Sequence, residues 1–247
     1  MVDPHSADPS HPRYHSLLKR QRLEQAAKKG MLADSALIAH GRGEAFDYLL
    51  GEQTIPSAYD ATVEAAARLI TAKTPVISLN GNAIALAGKE LLEIADLLNC
   101  PVEINIFYRT PKRMAALISH LEEIKISNNI DVEILGANPD AKIPGLEGPR
   151  ANCHNDGIYQ SDVILVPLED GDRCEALIAM EKEVIVIDLN PLSRTAKMAS
   201  VTIVDELTRV VKNLIEIIPK RPSRNEWDNL SVLSSALSHI TGNVKNS

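Results

Sequence analysis

Aromatic residues, cysteines and long apolar runs are all scarce in this sequence. Aromatic residues make up 3% of the 247 residues while 45% are hydrophobic, so aliphatic side chains must fill the core. The three cysteines, Cys100, Cys153 and Cys174, form no closely spaced pair, which excludes a Cys-x-x-Cys motif and a disulfide framework and fits a reducing compartment. No apolar run approaches the roughly 20 residues of a membrane-spanning helix. We therefore expect a cytoplasmic protein that does not enter a membrane.

Positive charge is also in deficit, since the formal net charge is −7 at pH 7. A general binder of nucleic acid carries a basic surface instead, so we expect no nucleic-acid partner. Small anionic ligands remain compatible, because a few arginines and backbone amides suffice to hold them. The polar segment 1–12 lacks the apolar stretch of a signal peptide and is predicted to be disordered. The remainder divides into a single α/β domain, 13–218, which opens with helices over 13–73, and a tail or helix over 219–247.

Short apolar runs alternate with helical patterns along the domain. Because these runs are near-continuous in Val, Ile and Leu, both faces of each strand must be buried. The pattern predicts an α/β fold of the Rossmann-like, doubly wound kind, with five or six mostly parallel strands, helices on both faces and an N-terminal helical extension. The predicted strands are residues 75–79, 101–107, 132–135, 163–168, 184–189 and 201–204. The principal predicted helices are residues 12–29, 57–73, 85–99, 110–124, 172–180 and 205–218, and Thr110 is the predicted N-cap of the fourth.

Ligands of open parallel sheets bind at the carboxyl ends of the strands, and the segments there are polar. Asn80, Gly81 and Asn82 follow the first strand and lead into a helix, where free backbone N–H groups suit a phosphate or carboxylate. An ordinary Asn-Gly turn explains these residues equally well. Arg109 and Thr110 follow the second strand, and the planar guanidinium suits a phosphate, although a surface ion pair is an equal alternative.

An acidic segment follows the fourth strand. Glu169, Asp170 and Asp172 repel one another unless a cation offsets them, and Arg173, Mg²⁺ or a substrate amine are the candidates. The simpler alternative is a solvated acidic loop that caps a helix at Asp172. The metal ligands are not identified by this pattern.

The segment after the fifth strand has the residue types of a nucleotide site. A carboxylate such as Asp188 at a strand end commonly binds a ribose hydroxyl. Asn190 suits a base or ribose, and Arg194 with Thr195 suits phosphate oxygens. Ser193 is also consistent with a plain helix cap.

Several familiar catalytic motifs are missing. The sequence contains no Gly-x-Gly-x-x-Gly after a strand, no P-loop, no Gly-x-Ser-x-Gly and no His-Glu-x-x-His. Its histidines have no metal-ligand spacing. His40 stands out because it begins His-Gly-Arg-Gly-Glu, residues 40–44, whose glycines predict a loop entering a short helix.

Taken together, these segments closely resemble the archaeal 4-phosphopantoate–β-alanine ligase (phosphopantothenate synthetase) family. The resemblance extends over roughly residues 11–217, and seven ordered motifs make a chance match improbable. The motifs are residues 11–14 with Arg20, 38–49, 78–82, 105–110, 143–147, 166–173 and 187–195.

The resemblance implies a Rossmann-like homodimeric enzyme that joins (R)-4-phosphopantoate to β-alanine with ATP and Mg²⁺, in coenzyme A biosynthesis. Glu206 departs from the family pattern, which usually has Asn there, so a backbone contact to adenine is expected to survive and a side-chain amide contact is not. The implied ATP contacts are Arg20, Arg42, Asp188, Leu189, Asn190, Arg194, Thr195, Glu206 and Leu207.

The implied mechanism assigns further roles. The acid's carboxylate attacks the α-phosphate of ATP, and the β-alanine amine then displaces AMP. Arg20, Arg42 and Arg194 would stabilise the developing phosphate charge, which makes Arg194 a catalytic candidate. His40 is the candidate general base for the amine. The expected substrate contacts are Arg109 and Thr110, the amides of Asn80, Gly81 and Asn82, and, for Mg²⁺ or the ammonium, Glu169, Asp170 and Asp172.

Two other functions fit the same residues. A non-catalytic nucleotide-sensing module would bind ATP without turnover. A phosphotransferase acting on a small acid would release ADP instead of AMP. The product nucleotide separates these alternatives from the ligase.

Overall fold

A computed structural model describes residues 8–11, 13–168 and 170–243 of the chain. Most of the segment 1–12, predicted to be disordered, therefore lies outside the described residues, as does Glu169. The helices are α1 (Tyr14–Lys28), α2 (Ala36–Leu50), α3 (Pro56–Thr71), α4 (Gly81–Leu98), α5 (Pro111–Asn128), α6 (Gly171–Ala179), α7 (Arg194–Met198), α8 (Leu207–Ile217) and α9 (Asn229–Asn243). The strands are β1 (Pro75–Leu79), β2 (Val102–Ile104), β3 (Ile134–Leu135), β4 (Ala141–Lys142), β5 (Asn152–Cys153), β6 (Val163–Pro167), β7 (Glu183–Ile187) and β8 (Val201–Ile203).

Six strands form one sheet in the order β3-β2-β1-β6-β7-β8, and every pair in it is parallel. This confirms the predicted α/β fold. The chain builds outward from β1 to β3, then returns to the centre to place β6 beside β1. That reversal is the topological switch point of a doubly wound sheet, where a crevice opens at the carboxyl ends of the strands.

Alternate strand residues enter two separate cores, as the period-2 geometry of a strand requires. Ile77 and Leu79 of β1 pack with α1, α3, α4, α5 and α8 on one face. Val76 of the same strand packs on the other face with α6 and with residues of the segment 138–160. The sheet is therefore covered on both faces, which explains why its strands lack a polar side.

The segment 36–50 is one continuous helix, so the prediction of a loop entering a short helix is wrong. Gly41 and Gly43 lie inside α2, where each costs roughly 1 kcal/mol relative to alanine. The helix forms despite that cost, and its residues Phe46 and Leu50 pack in the same apolar cluster as Leu189. A Cβ on Gly43 would lie 3.5 Å from Leu189, which is an ordinary contact distance. The helix ends at Gly51, whose φ of 82° is left-handed.

Two other helices, α4 and α6, begin earlier than predicted because a side chain caps each of them before the predicted first residue. Helix α4 begins at Gly81 rather than at residue 85, since the Asn80 side chain accepts a hydrogen bond from the Ala83 amide at 3.0 Å. The cap of α6 is Asp170 and not Asp172. The predicted caps Thr110 and Ser193 are confirmed. The long loop predicted over residues 138–156 contains an antiparallel pair, β4 with β5.

The C-terminal segment contains a helix, α9, that packs against the end of α2. Leu233 and Ala236 of α9 are buried against Leu50 and Ile55, which flank the end of α2. His239 adds a hydrogen bond of 3.3 Å to the Leu50 carbonyl. None of the helices in the described ranges is both long and apolar enough to cross a membrane.

Candidate active site

A cavity of about 480 Å³ opens at the carboxyl edge of the sheet, above the switch point. Its walls come from α1 and α2, the start of α4 and the segments that follow β2, β6, β7 and β8. The expected residues that line it are His40, Arg42, Asn80, Gly81, Asn82, Asp188, Leu189, Asn190, Glu206 and Leu207. The structure thus brings predicted residues from four separate segments of the chain into one space.

The remaining predicted residues are not part of the cavity wall. Arg20 lies just behind it and reaches it through Glu44. The others form surface or structural contacts instead. These others are Arg109, Thr110, Asp170, Asp172, Arg194 and Thr195.

His40 is the imidazole of the cavity wall. Its Nε2 atom is buried and has no hydrogen-bond partner in the described part of the chain. Burial lowers the pKa of His40 below its usual 6.5, although Glu44 raises it. The imidazole is therefore neutral at neutral pH and can accept a proton.

Glu44 lies one turn after His40 on the same face of α2. It accepts hydrogen bonds from the Arg20 guanidinium and from the Ser16 hydroxyl of α1. Although burial pushes its pKa up, these bonds leave the pKa of Glu44 lowered. Arg20, expected at the phosphates, is thus held at the cavity by an ion pair between α1 and α2.

A buried ion network fixes α2 to the end of β8. The Arg209 guanidinium of α8 bonds to Asp47 of α2 and to Asp205, which follows β8. Thr54 donates to the other Asp205 oxygen at 2.6 Å. Burial raises the pKa of Asp205, while the two carboxylates raise the pKa of Arg209. Asp47 and Asp205 both reach the cavity, so the network also shapes its wall.

The segment after β7 is folded into a tight turn by its own polar groups. Asp188 accepts from the Asn190 amide at 2.9 Å and from the Ser193 hydroxyl at 2.5 Å. Burial raises its pKa. The side-chain oxygen of Asn190 accepts from the Leu192 amide at 3.0 Å, which leaves the NH₂ group to face a ligand.

Glu206 caps α8 and does not carry a free polar group. Its carboxylate accepts from the Thr208 amide at 3.0 Å and pairs with Lys19 of α1 at 3.2 Å. Burial acts to raise its pKa, but Lys19 and Thr208 together lower it. The first backbone N–H of α8, that of Leu207, has no acceptor inside the helix.

Asn80 holds the two halves of the sheet together at the switch point. Its side-chain NH₂ donates to the carbonyls of Pro167 and Leu168 at 2.9 and 3.0 Å. Leu168 has a left-handed φ of 58°, which a non-glycine residue adopts only under constraint. With its oxygen capping α4, the Asn80 side chain is fully engaged in structure, so only backbone groups there remain for a ligand.

Arg109 points away from the cavity. Its guanidinium donates to the carbonyls of Gly136 and Ala137 at 2.6 and 2.9 Å, beyond the end of β3. Thr110 serves as the cap of α5, accepting from the Arg113 amide at 3.2 Å. The expected substrate roles of both residues remain untested predictions.

Arginine side chains pair with the described carboxylates of the acidic segment. Asp170 pairs with Arg150, a buried residue that does line the cavity. Asp172 and Glu175 pair with Arg194 on the exposed surface. Within the described ranges, no group of three His, Cys, Asp or Glu residues is placed to hold a metal.

Sequence reasoning missed several residues of the cavity wall: Ser16, Lys19, Asp47, Tyr108, Arg113, Arg150 and Asp205. Had residues 36–50 been predicted as one helix, Asp47 would have been found among these residues. His40, Glu44 and Asp47 then fall at i, i+4 and i+7 on one face. Arg150 and Arg113 had no such signal, because non-local packing alone brings them to the cavity.

Comparison with known proteins agrees with the resemblance. Residues 57–242 match the family model described as phosphopantothenate/pantothenate synthetase. A Thermococcus kodakarensis protein named 4-phosphopantoate–β-alanine ligase is 48% identical over 240 residues, covering 94% of this chain and 90% of its own length. The Methanosarcina mazei protein of the same name is 45% identical over 244 residues, covering 95% and 94%. The chain therefore belongs to the phosphopantothenate/pantothenate synthetase family and is a ligase.

Proposed function

We propose that the protein condenses (R)-4-phosphopantoate with β-alanine, using ATP, and releases AMP and pyrophosphate through an acyl-adenylate. The observation that carries this proposal is the single cavity across the switch point. It is lined by the segments after β7 and β8, whose residue types suit a nucleotide, by the neutral imidazole of His40 and by several cationic side chains. A condensation needs all of these in one space, because the acid, the nucleotide and the amine must meet.

The adenosine part of ATP is assigned to the β7 and β8 side of the cavity. Asp188 already accepts two hydrogen bonds, yet its oxygens retain lone pairs for a ribose hydroxyl. The Asn190 NH₂ and the Leu207 backbone N–H are the available donors. Because Glu206 is engaged with Lys19 and Thr208, adenine recognition there rests on backbone groups.

In the first step, a carboxylate oxygen of 4-phosphopantoate attacks the α-phosphorus, and the bond from that phosphorus to the bridging oxygen breaks. Pyrophosphate leaves with the electron pair. Arg42 is exposed at the cavity rim, and no hydrogen bond or ion pair engages its side chain within the described residues. Its guanidinium and that of Arg20 are suited to stabilise the charge that develops on phosphate.

Mg²⁺ fits this site best as a companion of ATP. Five carboxylates of the described cavity wall, those of Glu44, Asp47, Asp188, Asp205 and Glu206, are bonded to an arginine, a lysine, a hydroxyl or a backbone amide, and the sixth, Glu52, is an exposed residue. Protein Mg²⁺ sites with few available carboxylates commonly complete the shell with substrate phosphates and water. The cation would supply charge neutralisation of the phosphates, and none of the residue roles below depends on it.

In the second step, the β-alanine nitrogen attacks the acyl carbon, and AMP leaves with the electron pair of the broken acyl–oxygen bond. The ammonium must lose a proton before its nitrogen becomes nucleophilic. His40 is neutral, and its Nε2 has no hydrogen-bond partner among the described residues; it is assigned as the acceptor of that proton. Catalytic hydrogen bonds often form only in the substrate complex, so a buried Nε2 in the ligand-free protein is compatible with this role.

A product assay tests the proposal directly. Purified protein is incubated with ATP, Mg²⁺, 4-phosphopantoate and β-alanine, and the nucleotides are separated by chromatography. We expect AMP and pyrophosphate only when both substrates are present. Formation of ADP would instead support a phosphotransferase, and ATP binding without any turnover would support a nucleotide-sensing module.

The proposal includes a homodimer, in line with the family resemblance. Large apolar side chains of α2 are exposed, among them Ile38 at 68% and Leu49 at 51%, and a second copy is the occupant we assign to that surface. Light scattering of the purified protein would give twice the 26.9 kDa chain mass for a dimer. A mass of one chain would refute this part alone.

A further inference from the structure

Arg113 is a rigidly held cation of the cavity wall. It lies in the first turn of α5, half-buried, and its Nε and Nη2 atoms donate to the Met31 carbonyl at 3.3 and 3.2 Å. Its Nη1 atom donates to the Tyr108 carbonyl. A guanidinium has five N–H donors, so two remain after these three bonds. The bonds fix the plane of the group and leave those donors in a set direction.

No carboxylate balances this charge in the described residues. Arg20 pairs with Glu44 and Arg150 pairs with Asp170, whereas Arg113 bonds only to backbone carbonyls. Burial, with no opposing carboxylate, lowers the pKa of Arg113. Withdrawing an unpaired cation from water is costly. An anionic ligand in the cavity would remove that cost.

The place of Arg113 indicates which anion it meets. A Cβ on Gly81 would lie 3.3 Å from its Nη2 atom, so the guanidinium lies against the backbone that follows β1. Helix α5 follows β2, which is three strand positions from β7 and four from β8. At about 4.8 Å per position, these are separations of about 14 and 19 Å from the strands assigned to the adenosine. The β1 and β2 side is therefore the side left for the acid.

A second cation strengthens this assignment. Arg150, only 8% exposed, reaches the same cavity from the segment between β4 and β5. Its Nε atom donates to the Asn105 side chain at 3.2 Å, beyond the end of β2. Arg113 thus adds a cation on this side that no carboxylate of the described residues balances, next to the Arg150–Asp170 pair.

We propose that Arg113 binds the phosphate group of 4-phosphopantoate and thereby sets the preference for the phosphorylated acid. The inference rests on the proposed function, since that function supplies the substrate. It transfers to Arg113 the role that sequence reasoning expected of Arg109, whose guanidinium is directed to Gly136 and Ala137 instead.

Equilibrium binding of 4-phosphopantoate and of pantoate, measured by calorimetry, tests this inference. The variants are Arg113→Met, Arg113→Lys and, as the matched control, Lys112→Met, which removes an exposed cation from the same helix turn. Arg113→Met should weaken 4-phosphopantoate binding about 10- to 100-fold, since charge-assisted hydrogen bonds contribute about 1.5–3 kcal/mol. Binding of pantoate and the KM for ATP should stay unchanged. Arg113→Lys should recover part of the loss, and Lys112→Met should show none.

Three results would overturn the assignment. Equal weakening for both acids would mean that Arg113 does not contact the phosphate. A raised KM for ATP without a change for the acid would place a nucleotide phosphate there. Loss in Arg109→Met but not in Arg113→Met would restore the sequence prediction. If Arg113→Met does not fold, Arg113→Lys carries the same test with a smaller expected loss.

Because the experiment measures binding and not turnover, it tests this inference separately from the proposed function. Wild-type protein that binds 4-phosphopantoate but forms no product would refute the function and leave the site intact. Unchanged binding in a folded Arg113→Met variant would refute the site whatever the activity.

Discussion

Arg209 is the residue whose removal should destabilise the fold most clearly. It neutralises Asp47 and Asp205, which are 4% and 1% exposed, and so connects α2 to the end of β8. Substitution by methionine keeps the aliphatic volume but leaves two buried carboxylates without a counter-ion. Breaking a buried ion pair in this way costs about 3–5 kcal/mol. We expect Arg209→Met to lose that much stability near pH 7.5.

The loss should depend on pH in a defined direction. Burial already raises the pKa of Asp205 in the wild type, and removing the guanidinium raises it further. A group whose pKa is raised by folding stabilises the fold at low pH and loses that contribution as the pH rises through the folded-state pKa. The deficit of Arg209→Met relative to the wild type should therefore be smaller at pH 5 than at pH 7.5.

Urea unfolding followed by circular dichroism at the two pH values measures both effects. The triple variant Asp47→Asn, Asp205→Asn, Arg209→Met is the matched control, because it removes the cation together with the charges it balances. We expect it to recover most of the lost stability at pH 7.5. A deficit of Arg209→Met below about 1 kcal/mol, the range of an exposed pair, would refute the reasoning, as would a deficit that is equal at both pH values.

Three further changes have expected outcomes. His40→Gln should lower kcat about 10²- to 10⁴-fold. In the wild type we expect the rate to fall below pH 6.5, because burial lowers the pKa of His40. The variant should lose this acid limb of the pH–rate profile. Arg42→Met should raise the KM for ATP about tenfold, the effect of losing about 1.4 kcal/mol, without changing the melting temperature, and an unchanged KM would remove Arg42 from the phosphate site. Gly136→Ala should lower stability by about 1–3 kcal/mol, because φ is +107° and the added Cβ would collide with the Ile104 carbonyl; an unchanged melting temperature would contradict this.

The amino-acid pattern alone predicted the layers of this fold correctly. Continuous apolar runs such as 163–168 and 184–187 require burial on both faces, and that requirement leads to a parallel sheet with helices on each side. Local caps such as Thr110 were also predictable, because the hydrogen bond they make spans only three residues. The family followed from ordered motifs, and the comparisons confirm it.

Tertiary structure decided where the functional side chains point. The glycines of α2 favour a loop by local propensity, yet the segment is helical in the folded chain, and this helix places His40 with Glu44. Arg109 and Arg113 are four residues apart, but different carbonyls orient them: Gly136 and Ala137 accept from Arg109, whereas Met31 and Tyr108 accept from Arg113.

The sheet was predictable and the side-chain directions were not, because the two depend on interactions at different distances along the chain. Burial of a whole strand depends on its own composition, so the sequence determined the sheet, the helices around it and the edge where ligands bind. The direction of a charged side chain depends on partners 27 or 82 residues away along the chain, as for Arg109 and Arg113. The identity of the cavity wall was therefore settled only when folding brought those partners together.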